Sequence, residues 1–141
     1  MSKDIAKDIF EMHRHFKVHE IVESMDKGTL LKFLNFRMNM IQEEFNETDE
    51  AIMNSDPDEI VDGIIDLLVF ALGTLDVFGV DINKAWDEVY EKNMQKEPGV
   101  KPERANPFGF PDLIKPPGWE APSHKGNHGI LPEVFGVEDE V

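Results

Sequence analysis

The stretch from Glu59 to Phe78, EIVDGIIDLLVFALGTLDVF, constrains this chain more than any other. Ile, Leu, Val, Ala and Phe occur on every side of it, and a helix that is apolar all round belongs in a core. Asp62 and Asp66 nevertheless sit inside it at i, i+4, with Glu59 a further i, i+3 step back. At about 100° per residue the three carboxylates fall on one narrow stripe. An unpaired buried carboxylate costs several kcal/mol, so such groups are normally paired, neutralised or bound to metal. No Lys, Arg or His lies between Glu59 and Asp81. The stripe therefore asks for a cation from outside the segment.

The flanking sequence predicts how the helix starts and stops. Asp56 at the N-cap, Pro57 at the first helical position and Glu59 at the third read as a capping box with proline in its favoured place. That box gives Glu59 a structural task and weakens it as a metal ligand against Asp62 and Asp66. Gly79 supplies the stop. Gly63 and Gly73 each cost about 1 kcal/mol against Ala, so they mark places where another helix or a ligand comes close.

Upstream lies the most regular periodicity in the chain. Leu31, Leu34, Met38, Ile41, Phe45, Thr48 and Ile52 recur at alternating steps of three and four, as in helix bundles and coiled coils. With Thr29 as its cap, a helix running through Asn54 is about 38 Å long. An element of that length with one apolar seam wants a long partner, from its own chain or from a second copy. Beside the seam stand Glu43, Glu44 and Glu47. The turn at Ser55–Pro57 puts Glu47 and the pair Asp62 and Asp66 at comparable distances on either side of it. In an antiparallel hairpin the two acidic sets therefore face each other. Hard oxygen ligands without cysteine select magnesium, manganese or calcium.

Two further helices are expected. One covers residues 2–16, capped by Ser2, with an apolar face of Ile5, Ile9, Met12 and Phe16; the other follows a cap at Asp81, buries Ile82, Trp86, Val89 and Tyr90, and ends near Lys96. The run His13-x-His15-x3-His19 lacks regular i, i+4 pairing on a continuing helix, which favours surface or substrate-lining histidines over a metal site. Eight of nine prolines and six of ten glycines lie in the last 44 residues. Phe108, Phe110, Leu113, Ile114 and Trp119 make that segment too apolar for a disordered linker, so it is expected to be ordered without regular structure. The organisation predicted is a single all-α domain over residues 1–97, a bundle of about four helices that oligomerises through its long helices. A Pro/Gly-rich extension over 98–141 would pack on this core or on a neighbouring subunit.

Composition narrows the partners. A formal charge of −15 argues against nucleic acid. The Asp residues interrupt the best candidate for a membrane span. Zero cysteines exclude thiolate metal sites and fit a cytoplasmic protein. A di-iron or di-manganese bundle would need Glu-x-x-His pairs, which are missing from the sequence. A helical interaction module without catalysis would leave the acidic stripe with no cation.

Glu43-Glu44-Phe45-Asn46-Glu47 on one helix, and Glu59-Ile60-Val61-Asp62 followed by Asp66-Leu67-Leu68 on the next, resemble the EExxE and ExxD motifs of a known family. This is the all-α nucleoside triphosphate pyrophosphohydrolases, the MazG-like group that includes phosphoribosyl-ATP pyrophosphohydrolase and dimeric dUTPases. The segment Asp87–Lys96 looks like its closing helix, and the resemblance covers about residues 5–96. It implies magnesium-dependent hydrolysis, manganese being possible, of a nucleoside triphosphate to monophosphate and pyrophosphate by a homodimer or homotetramer. Carried onto this sequence, Glu44, Glu47, Asp62 and Asp66 would hold metal, and Glu43 or Glu59 would orient or deprotonate water. Arg37, Lys92, Asn93 and Lys96 would contact substrate. Phosphoribosyl-ATP is the nearest alternative substrate.

Overall fold

The computed structural model describes residues 3–103 and 107–139. It is all-α apart from one minimal strand pair, and its packing divides into two compact units: residues 1–82 with 125–141, and residues 83–124. The helices are α1 (Ile5–His15), α2 (Val18–Glu23), α3 (Lys27–Met53), α4 (Pro57–Val77), α5 (Ile82–Met94) and α6 (Leu131–Phe135).

In the first unit α3 and α4 form a long antiparallel hairpin, and α1 and α2 pack on α4. The Asp56 carboxylate caps α4 by accepting from the Glu59 N–H at 3.1 Å. The Asp56 N–H is used otherwise, donating to the Ala51 carbonyl at 3.0 Å. The Glu59 carboxylate is therefore not consumed in a reciprocal box, which corrects the reason for setting it aside. The cap of α3 is Asp26, with Thr29 as the donor at 2.7 Å rather than the acceptor. Asp4 caps α1; Ser2 lies outside the described residues.

Three expected faces differ in the structure. On α1 the buried residues are Ile9 and His13, while Ile5, Met12 and Phe16 are exposed, because a carboxylate on α4 lies under His13. On α4 the burial is one-sided: Gly63, Gly73, Thr74 and Val77 are covered, but Val61, Ile64, Ile65 and Leu68 are exposed. The α3 seam splits in the same way. Its rows interleave, with Leu34, Ile41 and Thr48 turned inward and Leu31, Met38, Phe45 and Ile52 left open.

The core of this unit sits at the far end of the hairpin from the turn. Val22, Leu30, Val77, Phe78 and Val134 are buried together there, with Phe33 against Phe78 at a ring separation of 6.0 Å. Residues after 125 close it. The Asn127 carboxamide makes two hydrogen bonds with the Asp81 backbone, and the Ile130 N–H donates to the Phe78 carbonyl.

The second unit holds most of α5 and the antiparallel strands β1 (Glu97–Gly99) and β2 (Asp112–Ile114), paired Glu97 to Ile114 and Gly99 to Asp112. Elsewhere its order comes from side chains. The Trp119 indole N–H donates to the Lys92 carbonyl at 2.8 Å, and Lys96 and Lys115 lie over the ring at 5.1 and 5.2 Å. Trp86, Val89 and Tyr90, expected to be buried, are exposed on α5, and only Ile82 is covered.

Candidate active site

Register decides which carboxylates meet. Near the turn, a Cβ on Gly63 would run into the Thr48 hydroxyl, so α3 and α4 approach there as closely as backbones can. Near the other end a Cβ on Gly73 would lie 2.5 Å from Arg37 Nη2, and Arg37 Nε donates to the Thr74 hydroxyl at 3.1 Å. Thr48 to Arg37 is eleven residues on α3, and Gly63 to Thr74 is eleven on α4. The helices run past each other in step. Glu44 and Glu47 accordingly stand opposite Asp66 and Asp62, inside the span that these contacts fix.

The electrostatics carry the signature of that meeting. Glu44 is half-buried, and its carboxyl is pushed above the ordinary range by desolvation, then by the charges of Glu47, Asp66, Asp62 and Glu43. Glu43, Glu47 and Asp62 are exposed around it and Asp66 is half-buried. Glu43 and the other three proposed metal ligands thus all lie within electrostatic reach of Glu44. Glu59 lines a shallow cleft of about 240 Å³ with Glu47, Glu50 and Asp56, at the turn end of the same surface.

Residues 10–93, more than half of the chain, match the family model described as phosphoribosyl-ATP pyrophosphohydrolase. The chain belongs to this family. No curated protein and no solved structure gives a match. The family's chemistry is hydrolysis of a phosphoric anhydride, and the matched region contains every carboxylate of the cluster.

Within this pyrophosphohydrolase domain Arg37 has a different setting from the one expected of a phosphate contact. It is buried, gives Nε to Thr74 and Nη2 to the Phe70 carbonyl at 3.2 Å, and stacks over the Phe70 ring at 5.1 Å. Its task in the structure is to clamp α3 to α4. Lys92, Asn93 and Lys96 belong to the last turn of α5 and the residues after it, in the second unit, where Lys96 caps the Trp119 ring; Lys96 lies beyond the family match.

One cluster escaped the sequence reading. His13 Nδ1 and His19 Nε2 both reach the same oxygen of Asp76, at 2.7 and 2.6 Å. The two histidines come from the His-x-His-x3-His run. Asp76, the third aspartate in the apolar stretch from Glu59 to Phe78, was the available signal for their partner.

Proposed function

We propose that this chain hydrolyses a nucleoside triphosphate to the monophosphate and pyrophosphate, using divalent metal held by Glu44, Glu47, Asp62 and Asp66. The observation that carries this reading is the crowding at Glu44, where burial and four neighbouring carboxylates act together against ionisation. An oxygen-only donor set at the edge of solvent fits magnesium, with manganese as a substitute. Magnesium bound there would neutralise triphosphate charge and make a bound water more acidic. Around that centre the chain's own groups have separable tasks. Glu43, exposed at the rim, or Glu59, in the cleft beside Glu47, takes the proton of the attacking water as its oxygen adds to phosphorus and the anhydride oxygen leaves with pyrophosphate. Lys92, Asn93 and Lys96 are the polar contacts we assign to substrate.

The family match gives phosphoribosyl-ATP equal standing as substrate. A screen of pyrophosphate release across the common ribo- and deoxyribonucleotides and phosphoribosyl-ATP separates the two readings. Full activity of both Asp66→Asn and Glu47→Gln on a proven substrate would refute the site.

We assign the working form to a homo-oligomer in the cytoplasm. The open row Leu31, Met38, Phe45 and Ile52 and the open side of α4 at Val61, Ile64, Ile65 and Leu68 are support for a second copy. Among the described residues no single helix is long and apolar enough to cross a membrane.

A further inference from the structure

We propose that His13, His19 and Asp76 form a second metal site, for a zinc-class transition-metal ion, distinct from the acidic cluster. The candidate ligand atoms of the three residues all lie within 4.8 Å of one another. They come from α1, the first turn of α2 and the end of α4, so three separate elements hold them. Two imidazole nitrogens and one carboxylate oxygen make up a donor set found in three-ligand zinc centres, whereas magnesium prefers oxygen alone. The rings of His13 and His19 stand edge-on with centroids 5.8 Å apart, close to the spacing of roughly 5 Å that two imidazoles take on one tetrahedral ion. Without metal both nitrogens crowd a single oxygen of Asp76. Ligands of tetrahedral zinc stand about 3.3 Å apart, so loading requires each contact to open by roughly 0.6 Å. In the loaded form each neutral imidazole carries its proton on the nitrogen turned away from the ion.

The surroundings supply the remaining parts of a metal centre. Arg37, close enough to Asp76 for their charges to couple, places a buried cation near the carboxylate while its own hydrogen bonds go to Thr74 and the Phe70 carbonyl. His19 and Asp76 line a cavity of about 620 Å³ whose walls include Phe10, Glu23, Phe78 and Ile130. An ion would enter from that side, and its open fourth position would be filled there. Along α4, Asp76 lies ten residues beyond Asp66, about 15 Å away, so the two sites share a helix without sharing a ligand.

The test is cobalt uptake by the full chain, stripped of metal and held in excess magnesium, followed through the visible bands of four-coordinate Co²⁺. One equivalent with intense bands is expected in the parent and in Asp66→Asn. Loss of the bands is expected in His19→Gln, a change at a partly exposed position, and their return with added thiolate charge-transfer absorption in His19→Cys. Zinc should raise Tm in the parent and displace cobalt. Absent bands in the folded parent would mean a hydrogen-bonded triad only and would overturn the proposal. So would bands unaffected by His19→Gln, or bands lost in Asp66→Asn.

Discussion

Gly63→Ala tests the contact on which the facing of the carboxylates depends. In an exposed helix interior this change stabilises by about 1 kcal/mol. Here the added methyl would collide with the Thr48 hydroxyl and come within 3.2 Å of Thr48 Cβ. Two responses are open to the hairpin. It separates locally, at the overpacking cost of about 1–3 kcal/mol. Alternatively Thr48 swings away, losing its 2.7 Å bond to the Glu44 carbonyl and stranding a buried hydroxyl, again about 1–3 kcal/mol. Less the helix-propensity gain, the net loss is about 0–2 kcal/mol, or a fall in Tm of up to roughly 10 °C. Separation also moves Asp62 and Asp66 away from Glu44 and Glu47, and a displacement near 1 Å lowers turnover by about 100-fold. Thermal unfolding followed by circular dichroism gives the first quantity and pyrophosphate release the second. Adding Thr48→Ala removes the colliding oxygen and should recover at least about 1 kcal/mol relative to additivity. A Gly63→Ala protein more stable than its parent and fully active would refute the close approach and the register built on it.

The other predictions concern charge, the clamp and the open face. Glu44→Gln and Asp66→Asn should each lower pyrophosphate release by at least about 100-fold, the equivalent of several kcal/mol of lost metal-assisted stabilisation. Because the folded state holds the Glu44 carboxyl above its ordinary value, its protonation favours folding. That contribution is complete in acid and lost as pH rises through the raised value. Metal-free Glu44→Gln should therefore gain Tm over the parent towards neutral pH, and saturating magnesium should reverse the order. Arg37→Met should destabilise by about 1–3 kcal/mol in urea unfolding, because it removes the buried guanidinium's hydrogen bonds to the Thr74 hydroxyl and the Phe70 carbonyl that clamp α3 to α4. Phe45→Asp, on the open row of α3, should shift sedimentation towards the monomer while keeping far-UV helicity; an unchanged assembly would count against pairing through that row.

What was legible in the sequence was local or periodic. The alternating steps from Leu31 to Ile52 and the Asp56-Pro57 start gave α3, α4 and their turn, and from these the facing of the acidic sets. Gly63 and Gly73 were readable as close contacts because glycine in a helix interior requires a reason. The division of the seam into a covered and an open row was not readable, since both rows are equally apolar. α2 was hidden by Lys17, a non-glycine residue at φ 60° that ends one helix and begins the next. On an unbroken helix His13 and His19 would point about 120° apart. The break at Lys17 instead brings both to Asp76, a meeting that no spacing rule encodes. Arg37 looked like a phosphate ligand because its position on α3 was visible and its partners Phe70 and Thr74 were not.

The tether between the last residues and the end of α4 has a consequence for synthesis. Val134 belongs to the same buried cluster as Val22 and Leu30, and the whole second unit lies between them in sequence. At 5–20 residues per second, about 5–20 s separate the translation of Leu30 from that of Val134. During that interval the hairpin can form, but Phe78 and its neighbours wait for their lid. The nascent chain therefore presents apolar surface at the foot of α4 as well as along α3. It is at this stage, before release from the ribosome, that the protein is most exposed to holdase capture or to premature pairing.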